Sequence, residues 1–336
     1  MKKIAFYTFL IFGVITTFSC ERTENPDGEG PSLVDIYADF QFNEPLTFSQ
    51  KSADFSSNQG ITMYATFNKL AQWEMKITGL NSGAVKSFQG TSRQLDEANT
   101  FWNGSTTMLP IFQEEKCLFE LHILDNDSII TDTLEITGVK SNNGILLESF
   151  ESGDISPKAS IFRMSGADMS FVVSNDTTAA QGEYYFDMAG AVNWDWFLGQ
   201  LNLPADAYNY TTFPLAENPE IVYLNFMANY VDVGNPGFFL IQVQEDDNMD
   251  GQFEAGEEDF YEMRYPPEDG TFLSPGWQLV SLNFGDVNLE NAEGNRIVEP
   301  HKIKHISFLY LANKDVGFSR VLLDYIIFTE GGALEP

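Results

Sequence analysis

The chain reads as an all-β protein made of two sandwiches in series. Three observations carry this. Apolar residues recur at period two rather than 3.6, and clusters of Gly, Asn, Asp and Ser interrupt them at roughly 8–12-residue spacing. No stretch joins a sustained helical period to helix caps. With 336 residues, 43% of them hydrophobic, the chain is long enough to bury two separate cores.

Residues 1–20 form a secretory leader: Met1, Lys2 and Lys3 precede an apolar run from Ile4 to Phe18, which closes on Thr17-Phe18-Ser19-Cys20. A basic start, an apolar core too short to span as a mature helix and a small residue before cysteine define such a segment. The ending resembles the lipobox of bacterial lipoproteins, which implies that Cys20 becomes the lipidated first residue of the mature chain. The alternative is a plain secreted protein. No later apolar run is long enough to cross a bilayer, so the expected membrane attachment is the lipid alone. Residues 21–33 follow as an acidic tether, with Glu21, Glu24, Asp27 and Glu29 among Pro26, Gly28 and Gly30, a composition that cannot bury apolar area. Acidic residues directly behind the cysteine resemble the surface-export signals of lipoproteins in starch-utilisation-type systems. The expected location is the outer membrane, exposed at the cell surface.

Residues 34–140 read as short strands. From Gln72 to Thr78, Trp73, Met75 and Ile77 face one way while Gln72, Glu74, Lys76 and Thr78 face the other, and Asn81-Ser82-Gly83 then turns the chain. Cys117 alternates with Phe119, Leu121 and Ile123, which makes it a small inward hydrophobe rather than a reactive thiol. Trp73 together with Trp102-Asn103-Gly104 resembles the immunoglobulin-like module of flagellar-hook scaffold proteins, implying an immunoglobulin-like β-sandwich. Trp102 then packs in the core or at a corner, the other reading being a ligand platform.

Asn142-Asn143-Gly144 is a linker signal, and residues 144–332 form the second unit. Its strands are expected at 221–231, 238–244, 260–265, 277–284, 303–311 and 321–328. They are partly apolar on both faces, and two packed antiparallel sheets would bury them. The opening Phe150-Glu151-Ser152-Gly153, the Gly276-Trp277 before a strand and the closing Leu323-Asp324-Tyr325-Ile326-Ile327-Phe328 resemble the galactose-binding-like jelly roll of carbohydrate-binding modules. That resemblance implies a binding role toward glycans.

Residues 246–257 fit D-x-[DN]-x-[DN]-G-x5-E at every specified position. Asp246, Asn248 and Asp250 alternate so that oxygens converge, Gly251 permits the reversal, Gln252 offers its carbonyl and Glu257 closes the set. Ca²⁺ is the expected guest, in a hairpin insertion between strands rather than between helices; an unliganded acidic hairpin is the alternative. Asp324 lies in a run buried on both faces, where a carboxylate needs a partner. In the jelly-roll modules an acidic residue of the last strand and a glutamate of the first share a structural Ca²⁺, which here implies Asp324 and Glu151. Asp324 bonded to backbone amides without metal is the other reading.

The candidate ligand surface is Asn193-Trp194-Asp195-Trp196, joined by Tyr208 and Tyr210. Two Trp residues at i and i+2 share a strand face and offer a flat shelf for a sugar ring, with Asp195, Asn193 or Gln200 taking hydroxyls. The same spacing also suits a core pair. The three histidines form no metal pattern, and no nucleophile elbow, H-E-x-x-H or phosphate loop occurs, so no catalytic residue is assigned. The formal charge of −31 becomes −33 once Lys2 and Lys3 leave with the leader, a field that repels nucleic acid and suits neutral glycans and divalent cations.

The sequence therefore predicts a surface lipoprotein that binds polysaccharide or oligosaccharide non-catalytically, beside an outer-membrane transporter or hydrolase. A structural or adhesion lipoprotein with a protein partner is the second expectation. A jelly-roll glycoside hydrolase or lyase is the third.

Overall fold

The computed structural model describes residues 39–126, 128–191, 196–231, 237–267, 274–289, 294–312, 315 and 317–336. The first unit comprises β1 (Phe42–Phe48), β2 (Ser52–Asp54), β3 (Met63–Gly79), β4 (Val85–Leu95), a single helical turn α1 (Glu97–Thr100), β5 (Lys116–Ile123) and β6 (Ser128–Gly138). They form one sheet in the order β1-β3-β5-β6-β2, with β4 also on β3. The organising strand is β3, whose 17 residues alternate inward and outward. Its first part pairs with β1 and its last part with β5, so one strand serves two neighbours in succession. Trp73, Met75 and Ile77 meet Cys117, Phe119, Leu121 and Ile123 in the core, as their period-two spacing predicts. Burial, with Glu115 nearby, pushes the Cys117 thiol up to about 12, which leaves it inert. Trp102 is 0% exposed between Phe55 and Phe112, its indole N–H donating to the Ser105 carbonyl at 2.9 Å. It is a core residue and offers no platform.

The second unit contains β7 (Ile145–Glu148), β8 (Ser160–Arg163), β9 (Ala167–Ser174), β10 (Tyr185–Ala191), β11 (Phe197–Pro204), β12 (Val222–Tyr230), β13 (Phe238–Glu245), β14 (Phe260–Tyr265), β15 (Trp277–Asn283), β16 (Ile303–Leu311) and β17 (Ser319–Glu330). A six-stranded sheet runs β15-β12-β17-β10-β9 with β7 also on β17, and a five-stranded sheet runs β14-β13-β16-β11-β8. All the pairings within these two sheets are antiparallel. The inner faces interdigitate: Phe226 of the larger sheet packs edge-on against Phe239 and Phe308 of the smaller, with centroids 5.8 and 5.2 Å away. This is the all-β sandwich architecture expected from sequence.

Strands β7 to β11 lie outside the sequence-predicted set. In β10, whose residues are almost all buried, Asp187 breaks the apolar run; Arg320 of β17 grips it through two N–H bonds of 2.9 and 3.0 Å. A cross-strand ion pair of this kind leaves no periodic trace in one strand alone. Among the described residues, no helix is long and apolar enough to cross a membrane.

Candidate functional site

The open face of the five-stranded sheet carries the best-organised set of ligand-type groups. Leu201, Leu203, Ile306, Phe308, Phe239, Ile241 and Val243 point inward, so their neighbours in sequence point out. Register then aligns these outward residues in rows across the strands. One row is Phe162, Gln200, Leu309, Leu240 and Arg264; the next is Ser160, Asn202, Ser307, Gln242 and Glu262; a third is Pro204, His305, Gln244 and Phe260. The polar members hold one another in place. Gln200 Nε2 and Ser307 Oγ both donate to Asn202 Oδ1, at 2.8 and 2.9 Å, and Gln242 Nε2 donates to Glu262 Oε1 at 2.8 Å. Burial holds the His305 imidazole below its usual pKa, which favours the neutral ring beside Ser307, 3.3 Å away.

Aromatic rings flank one end of this face on both sides of β16. Phe162 stacks on Phe197 at 5.9 Å and 8°, and the Arg264 guanidinium lies 3.8 Å over Phe238. At the β14 edge, Glu262 and Arg264 also line a cleft of about 390 Å³ whose far wall is Ser281, Leu282, Asn283 and Asp286. The face therefore combines apolar flats with neutral amides and hydroxyls, the chemistry that a polyhydroxylated ligand needs. Of these residues the sequence marked only Gln200 as a hydroxyl partner; no sequence period marked the rest as a site. The signal was Gln and Asn at alternate positions of otherwise apolar strands, visible in Gln200-x-Asn202 and Gln242-x-Gln244.

The sequence-predicted platform is only partly within view. Asn193, Trp194 and Asp195 lie outside the described residues. Trp196 enters β11 at the Phe197 end of this face: its carbonyl accepts the Ala312 N–H at 2.8 Å and its residue is 44% exposed. Tyr208 and Tyr210 do not join it. They follow the far end of β11, about 25 Å away at the rise of an extended strand. Tyr208 also turns inward, its ring against Phe213 at 5.9 Å and its hydroxyl 3.5 Å from Glu148, and burial raises its pKa. Tyr210 is 38% exposed. A strand separates the two halves of the expected aromatic group.

In the loop between β13 and β14 the acidic residues accept hydrogen bonds from the loop's own backbone amides. Asp246, 0% exposed, accepts the N–H groups of Asp250 and Gly251 at 3.0 and 2.8 Å, and Asn248 Oδ1 also accepts from Asp250 at 2.8 Å. Glu257, expected to close the ligand set, is exposed instead. Glu258 takes the inward place, accepting from Asn248 and Glu254. The cause is the turn itself: the amides of Glu257 and Glu258 both donate to the Glu254 carbonyl, which rotates the chain one residue further than a helix-flanked loop does. Gln252 is exposed, with its Nε2 on the Gly251 carbonyl. The donors Asp246, Asn248, Asp250 and Glu258 are all oxygens, the set that suits a hard cation.

On the other side of Asp246, Glu245, Asp247 and Asp259 bring carboxylate oxygens within 4.8 Å of one another. Glu245 accepts Tyr261 Oη at 2.6 Å and the Glu299 amide, and Asp259 accepts the Arg296 and Ile297 amides. Burial, opposed by those hydrogen bonds and reinforced by Asp259 and Asp247, raises Glu245 to about 8.

Asp324 and Glu151 are each held by backbone amides. Asp324, 0% exposed, accepts Gln181 N at 2.9 Å and Tyr325 N at 2.7 Å. Burial lifts its carboxyl well above the usual range, against those bonds, and the Glu151 charge adds to the lift. Glu151 accepts the amides of Glu183 and Tyr184 at 3.0 and 2.9 Å, over Gly182, where a Cβ would stand 2.2 Å from its carboxylate. Beside them Gln181 Oε1 is buried without a hydrogen-bond partner. His301 and His305 stand apart, in a short 3₁₀ turn and in β16.

No family model matches the chain, and no curated protein matches it. Among solved structures, it is similar to a carbohydrate-binding module of the β-sandwich superfamily described for promiscuous specificity. The identity is 12%, covering 87% of this chain and 98% of that one, with a TM-score of 0.37. A family 30 carbohydrate-binding module matches at 14% identity over 56% of this chain and 99% of its own, with a TM-score of 0.40. SGBP-B from a complex xyloglucan utilisation locus in Bacteroides uniformis matches at 14% identity over 85% of this chain and 73% of its own, with a TM-score of 0.36.

Proposed function

We propose that this chain binds a neutral polysaccharide or oligosaccharide, without bond-making chemistry, on the open face of the five-stranded sheet. The carrying observation is the hydrogen-bonded trio Gln200, Asn202 and Ser307, next to the hydrogen-bonded pair Gln242 and Glu262, beside the apolar Leu240 and Leu309. Sugar rings present an apolar C–H face and a rim of hydroxyls; the leucines and the flanking Phe rings meet the first, the amides the second. Because the polar side chains are already fixed by one another, little rotamer entropy is lost on binding. Trp196, at the end of β11, extends the apolar surface for a longer chain.

Calcium belongs to the same proposal. Asp246, Asn248, Asp250 and Glu258, with the main-chain carbonyl of Gln252, would hold it. Its effect would be structural, tying together carboxylates at the root of the β13–β14 hairpin that carries Gln242, Gln244, Phe260 and Glu262. The Gln181 oxygen and the Asp324–Glu151 pair offer a second oxygen-donor set. Export, lipid attachment at Cys20 and a place on the outer-membrane surface beside a transporter or hydrolase complete the reading, supported by the leader's residue pattern.

The test is retention on immobilised neutral polysaccharides, screened across a glycan panel with calcium present. Asn202→Ala and Gln242→Ala should each weaken binding about fivefold, the worth of one hydrogen bond, with the fold retained by circular dichroism. No retention on any glycan, or full affinity in the double variant, overturns the assignment of this face.

A further inference from the structure

Residues 111–113 form a clamp between the two units. Successive side chains of an extended segment point opposite ways, and here that alternation joins two cores. Phe112 enters the first unit's core against Trp102, at 5.1 Å, while Ile111 enters a separate apolar cluster with Ala180, Met227, Ile327 and Leu334. Main-chain and side-chain bonds reinforce the contact: Ile111 N donates to Ala180 O at 2.8 Å and Gln113 Nε2 to Gly182 O at 2.9 Å. The clamp is itself anchored, because the buried Glu115 accepts from Gln113 N, Asn81 N and Ser82 N.

The receiving segment is equally fixed. Thr178 O accepts the Trp277 indole at 2.8 Å, Asp324 holds Gln181, and Glu151 holds Glu183 and Tyr184. A second tie runs along residues 333–336. Leu334 N donates to the fully buried Asn225 at 3.0 Å, and further on Thr106 N of the first unit donates to Pro336 O at 2.7 Å and Lys140 Nζ to Glu335 O. Asn142 Nδ2 also donates to the Tyr325 hydroxyl, 3.1 Å away.

Units joined by a polar linker move independently unless their interface is apolar and tied. We infer that this junction is a fixed elbow: the 111–113 clamp and the 333–336 strap lock the two units in one orientation, so the five-stranded face is carried at a set angle rather than on a hinge. The inference does not depend on what that face binds.

Distance distributions between spin labels at Thr131→Cys and Val172→Cys test it, in the chain bearing Cys20→Ser; the native Cys117 is 0% exposed and takes no label. One narrow distribution is expected. Combining Gln113→Ala with Leu334→Ala, or separately removing residues 333–336, should at least about double its width while circular dichroism stays unchanged. A broad or bimodal distribution in the otherwise unaltered chain overturns the elbow whatever the variants do, and so does an unchanged width in both folded variants.

Discussion

Glu257 and Glu258 are chemically identical neighbours with opposite surroundings. One is exposed and the other is 2% exposed, with both oxygens on backbone amides of the loop. If the loop holds a cation, the inward Glu258 is the better placed of the two. Glu258→Gln should therefore abolish the rise in melting temperature produced by added calcium, whereas Glu257→Gln should leave it intact; calorimetry with and without the ion reads both. Equal effects from the two variants would mean that the calcium response does not run through this loop. The motif located the loop, but which glutamate turns inward at its close depends on how the chain leaves it. A helix places the twelfth residue inward; the single turn on Glu254 followed by a strand places the thirteenth there instead. Tyr208 shows the same limit. Its aromatic character was plain in the sequence, yet its position beyond β11 and its inward turn toward Phe213 are set by strand length and sheet pairing.

The hairpin β13–β14 gathers more negative charge than any partner nearby offsets. Glu245, raised to about 8, stays protonated at neutral pH, whereas in the unfolded chain it ionises near its ordinary value. Between those two values the folded state binds more protons than the unfolded state at this group, so the contribution of Glu245 to stability is greatest below about pH 4 and falls as pH rises toward 8. In chelator, the melting temperature should therefore drop across that interval by an amount reflecting on the order of a few kcal/mol, and Glu245→Gln should flatten the slope. A slope unchanged by that variant would show that another group carries it. Calcium should add several degrees at neutral pH by binding only the native loop. Strand identity here was legible because Phe239, Ile241 and Val243 alternate cleanly, and 260–265 and 303–311 emerge with the ends the pattern predicts. Strands β8 and β10 were hidden for physical reasons: β8 is an exposed four-residue edge and β10 is buried on both faces. The Gln and Asn side chains on the outward face of β11 make the sheet a candidate site.

Across the whole molecule, 49 acidic residues stand against 18 basic ones, which sets which ligands can approach the face. Charges of one sign repel at a distance comparable to the Debye length, about 8 Å at physiological salt, and the repulsion fades as salt rises. A neutral glycan feels none of this, because stacking on Leu and Phe and hydrogen bonding to amides have no long-range component. Its association constant should be nearly flat between low and high ionic strength. A chain of uronic acids with comparable hydroxyls should be rejected at low salt and gain affinity as salt screens the protein's field. Titration of both polymers at two salt concentrations reads the difference directly. Uronic-acid binding that is strongest at low salt would instead mean that a local cation, Arg264 at the rim or calcium in the β13–β14 loop, outweighs the net charge, and the ligand class would then be acidic rather than neutral.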